Sequence, residues 1–209
     1  DRFEHLPLEC SHLYLAIEGK LAAVICVEDP LREEAADAVR ELKEAGITKV
    51  VMMTGDSERT AAAIAKRVGV DEYYSEVLPE DKASFVEKEK ELGHKVIMIG
   101  DGINDSLALS SASVGIAISD GAAIAREIAD VTISADNLHE IVTLKRLSTA
   151  LMKRIHNNYR TIIGINGGLI ALGVTGIIMP TTSALLHNMS TLTISLRSMR
   201  NLLPKEEEA

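Results

Sequence analysis

The sequence predicts an α/β fold, a doubly wound parallel sheet followed by a two-helix transmembrane hairpin, and three observations carry that prediction. Two apolar runs, residues 49–54 and 95–99, stop at the polar tips Gly55-Asp56 and Gly100-Asp101. Amphipathic helical stretches alternate with runs of this kind along the first two thirds of the chain, the pattern of parallel strands joined by crossover helices. Residues 161–179 then carry no charged side chain.

The elements follow in order. Residues 13–18 and 20–27, separated at Gly19-Lys20, read as a strand hairpin too small to form a core. After Asp29-Pro30, the spacing of Leu31, Ala35, Ala38, Val39 and Leu42 predicts a helix over 31–45, with Gly46 as its stop. Strand 49–54 comes next, then a helix from Ser57 through Val68 stopped by Gly69, a short strand at Tyr73-Tyr74 and a charged helix over 80–92. Strand 95–99, a short helix after Asn104, strand 114–118, a helix near 122–129 and strand 131–133 complete the alternation.

From Asn137 a helix bearing Lys145, Arg146, Lys153, Arg154 and Arg160 runs into the uncharged segment. Its nineteen residues, 161–179, span roughly 28 Å at about 1.5 Å each, close to the hydrocarbon thickness of a bilayer. A second uncharged run, 181–196, ends at Arg197 and Arg200, which can snorkel and so lengthen it. Basic residues flank both outer ends and none lies in the Met179-Pro180-Thr181 turn, so both ends are expected on the cytoplasmic side. A pair of buried helices in a soluble core is the other reading.

The 209 residues allow one large or two small domains, and 46% hydrophobic content permits a sizeable core. The net charge of −9 argues against a nucleic-acid partner. Acidic residues gather in the first two thirds, while Lys and Arg dominate the last third until Glu206-Glu207-Glu208. Cys10 and Cys26 lack CxxC spacing, which supports neither a disulfide framework nor a zinc knuckle and leaves a reduced, cytosolic setting for the soluble part. The start, Asp1-Arg2-Phe3-Glu4-His5, has neither an initiator Met nor an apolar h-region, so the chain reads as a fragment without a signal peptide.

In an open parallel sheet ligands bind at the carboxyl ends of strands, so the tips of strands 49–54 and 95–99 are expected side by side at one crevice. Asp101 and Asp105, four residues apart across a turn that Gly102 permits, can face one site as hard oxygen donors suited to Mg²⁺, with Asn104 able to cap the next helix. Thr54 offers a hydroxyl, and the backbone N–H groups after it, through Gly55 and Asp56, open a helix N-terminus suited to phosphate oxygens. Lys82 could set an ammonium against a phosphoryl group or stand as a solvated surface lysine. Met52, Met53 and Met98 read as core. His5, His12, His94, His139 and His156 form no ligand-spaced cluster.

Thr54-Gly55-Asp56, Pro79 with Lys82, and Gly100-Asp101-Gly102-Ile103-Asn104-Asp105, in this order and spacing, resemble the phosphorylation domain of P-type ATPases within the haloacid-dehalogenase superfamily. Asp29-Pro30-Leu31-Arg32 resembles that family's hinge between nucleotide-binding and phosphorylation domains, which makes Asp29 and Arg32 the cofactor-binding candidates. The resemblance implies that residues 1–28 end a nucleotide-binding domain, 29–136 form the C-terminal part of the phosphorylation domain, and 137–209 hold a linking helix and the last two transmembrane helices. It implies ATP and Mg²⁺ as cofactors, Thr54 and Lys82 on the phosphoryl group, Asp101 on Mg²⁺, and Asn104 and Asp105 in support. Ser106-Leu107 stands where the family usually has Pro after the Asp. The DKTGT segment that carries the phosphorylated aspartate does not occur in the sequence. The chain by itself is therefore expected to be inactive, with Lys82 lacking its anionic partner, and the remaining nucleotide-binding, actuator and transmembrane parts of the same pump are its expected partners.

Two spans followed by a short basic tail resemble the heavy-metal-transporting group, which implies a multi-pass protein of the cell membrane with a cytoplasmic phosphorylation domain. Counting back from Arg200, His187 falls where copper pumps place a Met and zinc/cadmium pumps an Asp, and Asn166 falls where the penultimate helix carries Asn or Lys. A His and an Asn inside apolar spans are costly unless partnered, so each serves either the ion or an interhelical hydrogen bond. His187, Ser190, Thr191 and Ile194 share a helical face. Imidazole, hydroxyl and amide suit a divalent Zn²⁺, Mn²⁺, Co²⁺ or Fe²⁺ more than Cu⁺. A soluble phosphatase of the same superfamily, or an inactive truncated membrane-anchored module, is the alternative.

Overall fold

Glu18 and Gly19 adopt left-handed backbone, with φ 51° and 74°, as a two-residue type I′ turn requires. Around that turn strands β1 (Ser11–Ile17) and β2 (Lys20–Val27) pair antiparallel, with a register shift at Leu15/Ala16. Leu13, Tyr14, Leu15, Ile17, Leu21 and Ile25 stay exposed on this hairpin. The structure, a computed structural model, describes residues 11–27, 31–100, 103–118, 123–133 and 137–202.

Helix α1 (Ala35–Glu44) starts later than the pattern from Leu31 suggests, because the Ala35 N–H closes a tight turn onto Arg32 O at 3.1 Å and no side chain caps the helix start. It buries Ala35 and Ala38, and Gly46 at φ 95° ends the segment. Strands β3 (Val51–Met53) and β4 (Glu72–Tyr74) pair in parallel, joined by α2 (Glu58–Val68). Ser57 caps α2 by accepting the Thr60 N–H, and Gly69 closes it in left-handed conformation. Ala61, Ala65 and Val68 recur at helical spacing on its buried face.

Helix α3 (Pro79–Glu91) begins with Pro79, whose missing N–H would be unsatisfied there in any case, and buries Val86. After it come β5 (Ile97–Gly100), a 3₁₀ turn (Ile103–Asp105), α4 (Ser106–Ser111), β6 (Val114–Ile118), α5 (Ala123–Ile128) and β7 (Val131–Ile133). β5, β6 and β7 form one parallel ladder in that order. Gly115 lets α4 lie against β6: a Cβ there would sit 2.6 Å from Leu109 O. Leu109 and Ala117 form the centre of the core, with Met98 packed against them, as expected of a strand methionine.

One expectation is corrected. β3 and β5 belong to separate ladders, β3-β4 and β5-β6-β7, with no ladder bond between them. Their tips therefore do not end as neighbouring, hydrogen-bonded strands among the described residues.

Two compact units divide the chain, residues 1–142 and 143–209. Helix α6 (His139–Val174) buries Ile141 and Val142 at its start, and α7 (Pro180–Ser198) buries none of its residues. The uncharged run 161–179 is not one continuous helix. It breaks after Val174, with Gly176 in left-handed conformation at φ 75°. Among the described residues no helix is long and apolar enough to cross a membrane. The early stop of α6 and the Thr, Ser, Asn and His residues of α7 account for that.

Candidate functional site

Strand β5 ends at buried Gly100, and the chain returns through the 3₁₀ turn to Asp105, which is only 8% exposed. The return depends on glycine. A Cβ at Gly100 would lie 2.6 Å from Asp105 Cβ and 2.8 Å from its Oδ2. From the first turn of α3, Lys82 Nζ donates to Asp105 Oδ1 at 2.8 Å. Both side chains are largely shielded, at 16% and 11% exposure, so each charge is the other's compensation. Lys82 thus has an anionic partner within this chain, contrary to the expectation that it would lack one: a carboxylate removed from most of its water takes the nearest ammonium.

Thr54 follows β3. Its Oγ1 donates to Asp56 Oδ2 at 2.7 Å and accepts the Asp56 N–H at 3.1 Å. Val77 N–H to Thr54 O and Glu76 N–H to Asp56 O hold this loop from the far side of β4, while Gly55 keeps open space where a Cβ would be. Beyond the loop, Ser57 opens α2, so hydroxyl and backbone donors gather at a helix N-terminus, a place suited to an anion.

Asn104 is exposed in the 3₁₀ turn and does not cap α4; the cap position belongs to Asp105, whose side chain turns to Lys82 instead. Arg32 is exposed, 3.9 Å from the Glu34 carboxylate. Asp29 and Asp101 lie outside the described residues. Mg²⁺ takes hard oxygen ligands and is commonly held by one or two carboxylates plus phosphate oxygens, a chemistry that the Asp105 carboxylate at a glycine strand end fits. Among the described residues no group of three or more His, Cys, Asp and Glu side chains is placed to hold a metal.

Charges flanking β4 are committed to partners. Glu58 accepts from Ser75 Oγ and from Tyr73 OH at 2.8 Å; these hydroxyls, Ser75 first, hold its carboxyl below the usual range, and Glu58 pushes the Tyr73 phenol up. Asp71 is lowered by Lys43 at 2.7 Å and then by the Val50 N–H. Lys49 and Glu72 are 2.8 Å apart; the carboxylate raises the Lys49 ammonium above its ordinary value and the ammonium lowers the Glu72 carboxyl below its own.

In the second unit His187 Nδ1 and Asn166 Oδ1 are 2.9 Å apart. An amide oxygen only accepts, so the imidazole donates from Nδ1, the tautomer whose neutral form carries its lone pair on Nε2. The pair opens on a groove of about 640 Å³ that Ile170, Gly173 and Ser183 also line. Ser190 Oγ donates to His187 O at 2.8 Å, and Thr191 Oγ1 donates to the same carbonyl. Sequence placed His187 and Asn166 as separate candidates; the structure joins them. It also brings in Arg154, read from sequence as a flanking charge, which reaches the carbonyl of Ser198, the last residue of α7, and those of Arg200 and Asn201 just beyond it.

A family model for haloacid dehalogenase-like hydrolases matches residues 2–113. The zinc-exporting P-type ATPase of Mycobacterium marinum is 37% identical over 189 residues, which is 90% of this chain and 26% of that protein. Copper-transporting ATPase 2 of Rhizobium meliloti is 44% identical over 84% of this chain and 21% of its own length. The chain thus spans about a quarter of the curated relatives it matches. Among solved structures, a zinc-transporting PIB-type ATPase in the E2.Pi state superposes with a TM-score of 0.83 at 31% identity, covering 94% of this chain and 32% of that one.

Proposed function

Because the chain belongs to the haloacid dehalogenase-like hydrolase family, with heavy-metal P-type ATPases among its relatives, we propose that it is the C-terminal part of an ATP-driven heavy-metal exporter working through an aspartyl-phosphate. The observation that carries this reading is the shielded Lys82–Asp105 pair at the glycine end of β5. Thr54 and the N–H groups after it bind and orient phosphoryl oxygens. Lys82 supplies positive charge to the same group, and Asp105, with Asp101, holds Mg²⁺. When bound, Mg²⁺ neutralises charge on the transferring phosphoryl group. The accepting aspartate and the nucleotide pocket belong to other segments of the full-length protein.

Residues 161–196 form the membrane hairpin, multi-pass with the rest of the pump, and the α/β unit lies on the cytoplasmic side. What supports this is an α7 with no buried residue and with Leu185, Leu186, Met189, Leu192 and Leu196 exposed along one side of it. Leu185, Met189, Leu192 and Leu196 recur at helical spacing as one exposed apolar stripe, a face suited to lipid. His187, through Nε2, and Ser190 contact the transported ion, with Asn166 beside them. Imidazole and oxygen donors favour a divalent Zn²⁺, Mn²⁺, Co²⁺ or Fe²⁺ over Cu⁺.

Metal-stimulated, Mg²⁺-dependent ATP hydrolysis by the full-length protein tests this function. Asp105→Asn is expected to lower turnover by about 100-fold or more, the scale for losing a group that stabilises transition-state charge, and His187→Ala to abolish metal stimulation. The 209-residue chain by itself is expected to turn over no ATP. Unchanged turnover in Asp105→Asn, or sustained Mg²⁺-dependent hydrolysis by the chain itself, overturns the reading.

A further inference from the structure

Helices α6 and α7 are joined by two polar cross-links. One is His187 to Asn166. At the other, Arg154 on α6 donates from Nη1 to Ser198 O at 2.9 Å and to Arg200 O, and from Nη2 to Asn201 O at 3.0 Å. One turn along α6, Asn158 Nδ2 donates to Ser198 Oγ at 2.7 Å, and that hydroxyl donates onward to Ile194 O. The last carbonyls of a helix have no partner within it and carry its negative dipole end, so a guanidinium on Ser198 O and on the Arg200 and Asn201 carbonyls just past the helix supplies both donors and charge there.

The two cross-links are in register. Arg154 and Asn166 are about 18 Å apart along α6, and His187 and Ser198 about 17 Å apart along α7, at 1.5 Å per residue. An antiparallel pair pinned at Arg154–Ser198 therefore brings His187 opposite Asn166 within about one residue's rise. Little else fixes this register: Gly164, Gly167, Gly168 and Gly173 of α6 meet nothing within 4 Å where a Cβ would be, and α7 has no buried side chain. Close packing of small residues is the usual means of setting helix register in lipid, and these glycines do not provide it.

We propose that Arg154 is a positioning residue that clamps the C-terminus of α7 to α6 and thereby holds His187 in register with Asn166. Its bearing on ion transport rests on the reading of His187 as an ion ligand; the clamp itself does not. Asn158 and Ser198 are the second half of the clamp. Lysine retains the charge at position 154 but lacks the planar fork that reaches several carbonyls together.

The test is oxidative cross-linking of an Asn166→Cys/His187→Cys pair in the full-length protein in membranes, in an otherwise cysteine-free background. The pair is expected to cross-link readily with Arg154 present. Arg154→Ala is expected to slow it by about tenfold, the scale of a lost hydrogen bond to a charged group. Arg154→Lys and Asn158→Ala, which keep the charge at 154, are expected to fall between. Equal cross-linking with and without Arg154 overturns the proposal, as does failure to cross-link when Arg154 is intact. A second arm, with native Asn166 and His187, measures metal stimulation of Arg154→Ala. Slowed cross-linking with unaltered metal stimulation upholds the clamp and removes the ion-site reading.

Discussion

Lys82 and Asp105, 23 positions apart, meet at 2.8 Å where β5 ends, with both side chains largely shielded from water. Removing one partner leaves the other charge uncompensated. Lys82→Met is therefore expected to destabilise the fold by about 2–3 kcal/mol, below the range for a fully buried charge because each side chain keeps some solvent. Lys82→Met/Asp105→Leu is expected to be less destabilised than the single variants suggest when summed. Urea denaturation of the four members of this cycle measures the coupling, and additive losses contradict the pairing.

Gly100 and Gly115 are expected to resist alanine where Gly55 does not. The added Cβ meets Asp105 Cβ at 2.6 Å in the first case and Leu109 O at 2.6 Å in the second, whereas at Gly55 it meets nothing within 4 Å. Overpacking of this kind costs about 1–3 kcal/mol. Thermal unfolding of the three variants should give clear losses for Gly100→Ala and Gly115→Ala and a near-native midpoint for Gly55→Ala. Equal midpoints contradict the close approaches.

Acid sensitivity should trace to Asp71 and Glu58. Lys43 and the Val50 N–H lower Asp71, and the Ser75 and Tyr73 hydroxyls lower Glu58, so each carboxyl is more acidic folded than unfolded. Their stabilising contribution is complete above the ordinary carboxylate range and is lost as pH falls through the lowered folded values. Asp71→Asn is expected to flatten the decline in melting temperature on the acid side of pH 5 while leaving the slope from pH 6 to 8 unchanged. A parallel decline in wild type and variant contradicts the assignment.

Asn166 is expected to act on the ion through His187. With its oxygen held by the imidazole Nδ1–H, Asn166→Ala frees the ring to turn and should weaken metal affinity by about 10–100-fold, as the loss of an orienting partner commonly does. Metal titration of the full-length protein measures it, and unchanged affinity contradicts the role.

What the sequence discloses depends on how local its cause is. The apolar run into Gly100 and the stops at Gly46 and Gly69 are written in neighbouring residues, and the elements follow them closely. The Lys82–Asp105 pair is not, because a lysine entering a charged helix looks like any solvated one until the chain folds it onto a distant carboxylate. Arg154 is hidden for another reason: its acceptors are backbone carbonyls, which every residue carries. The early end of α6 is marked by Gly173 and Gly176, where the chain can turn, and not by any charge, so the uncharged run 161–179 outlasts the helix. The separation of β3 from β5 lies in which strands hydrogen-bond, which no pattern of side chains along either strand reports.

Acid-stable phosphoenzyme formation by the full-length protein, from γ-labelled ATP with Mg²⁺ and the transported metal, tests the central claim most directly. The account predicts labelling in the native protein and loss of at least about 100-fold in the labelling rate when Asp105 is replaced by Asn, the scale for removing a charge-stabilising group. Labelling of Asp105→Asn at the native rate, with the same Mg²⁺ dependence, would contradict it.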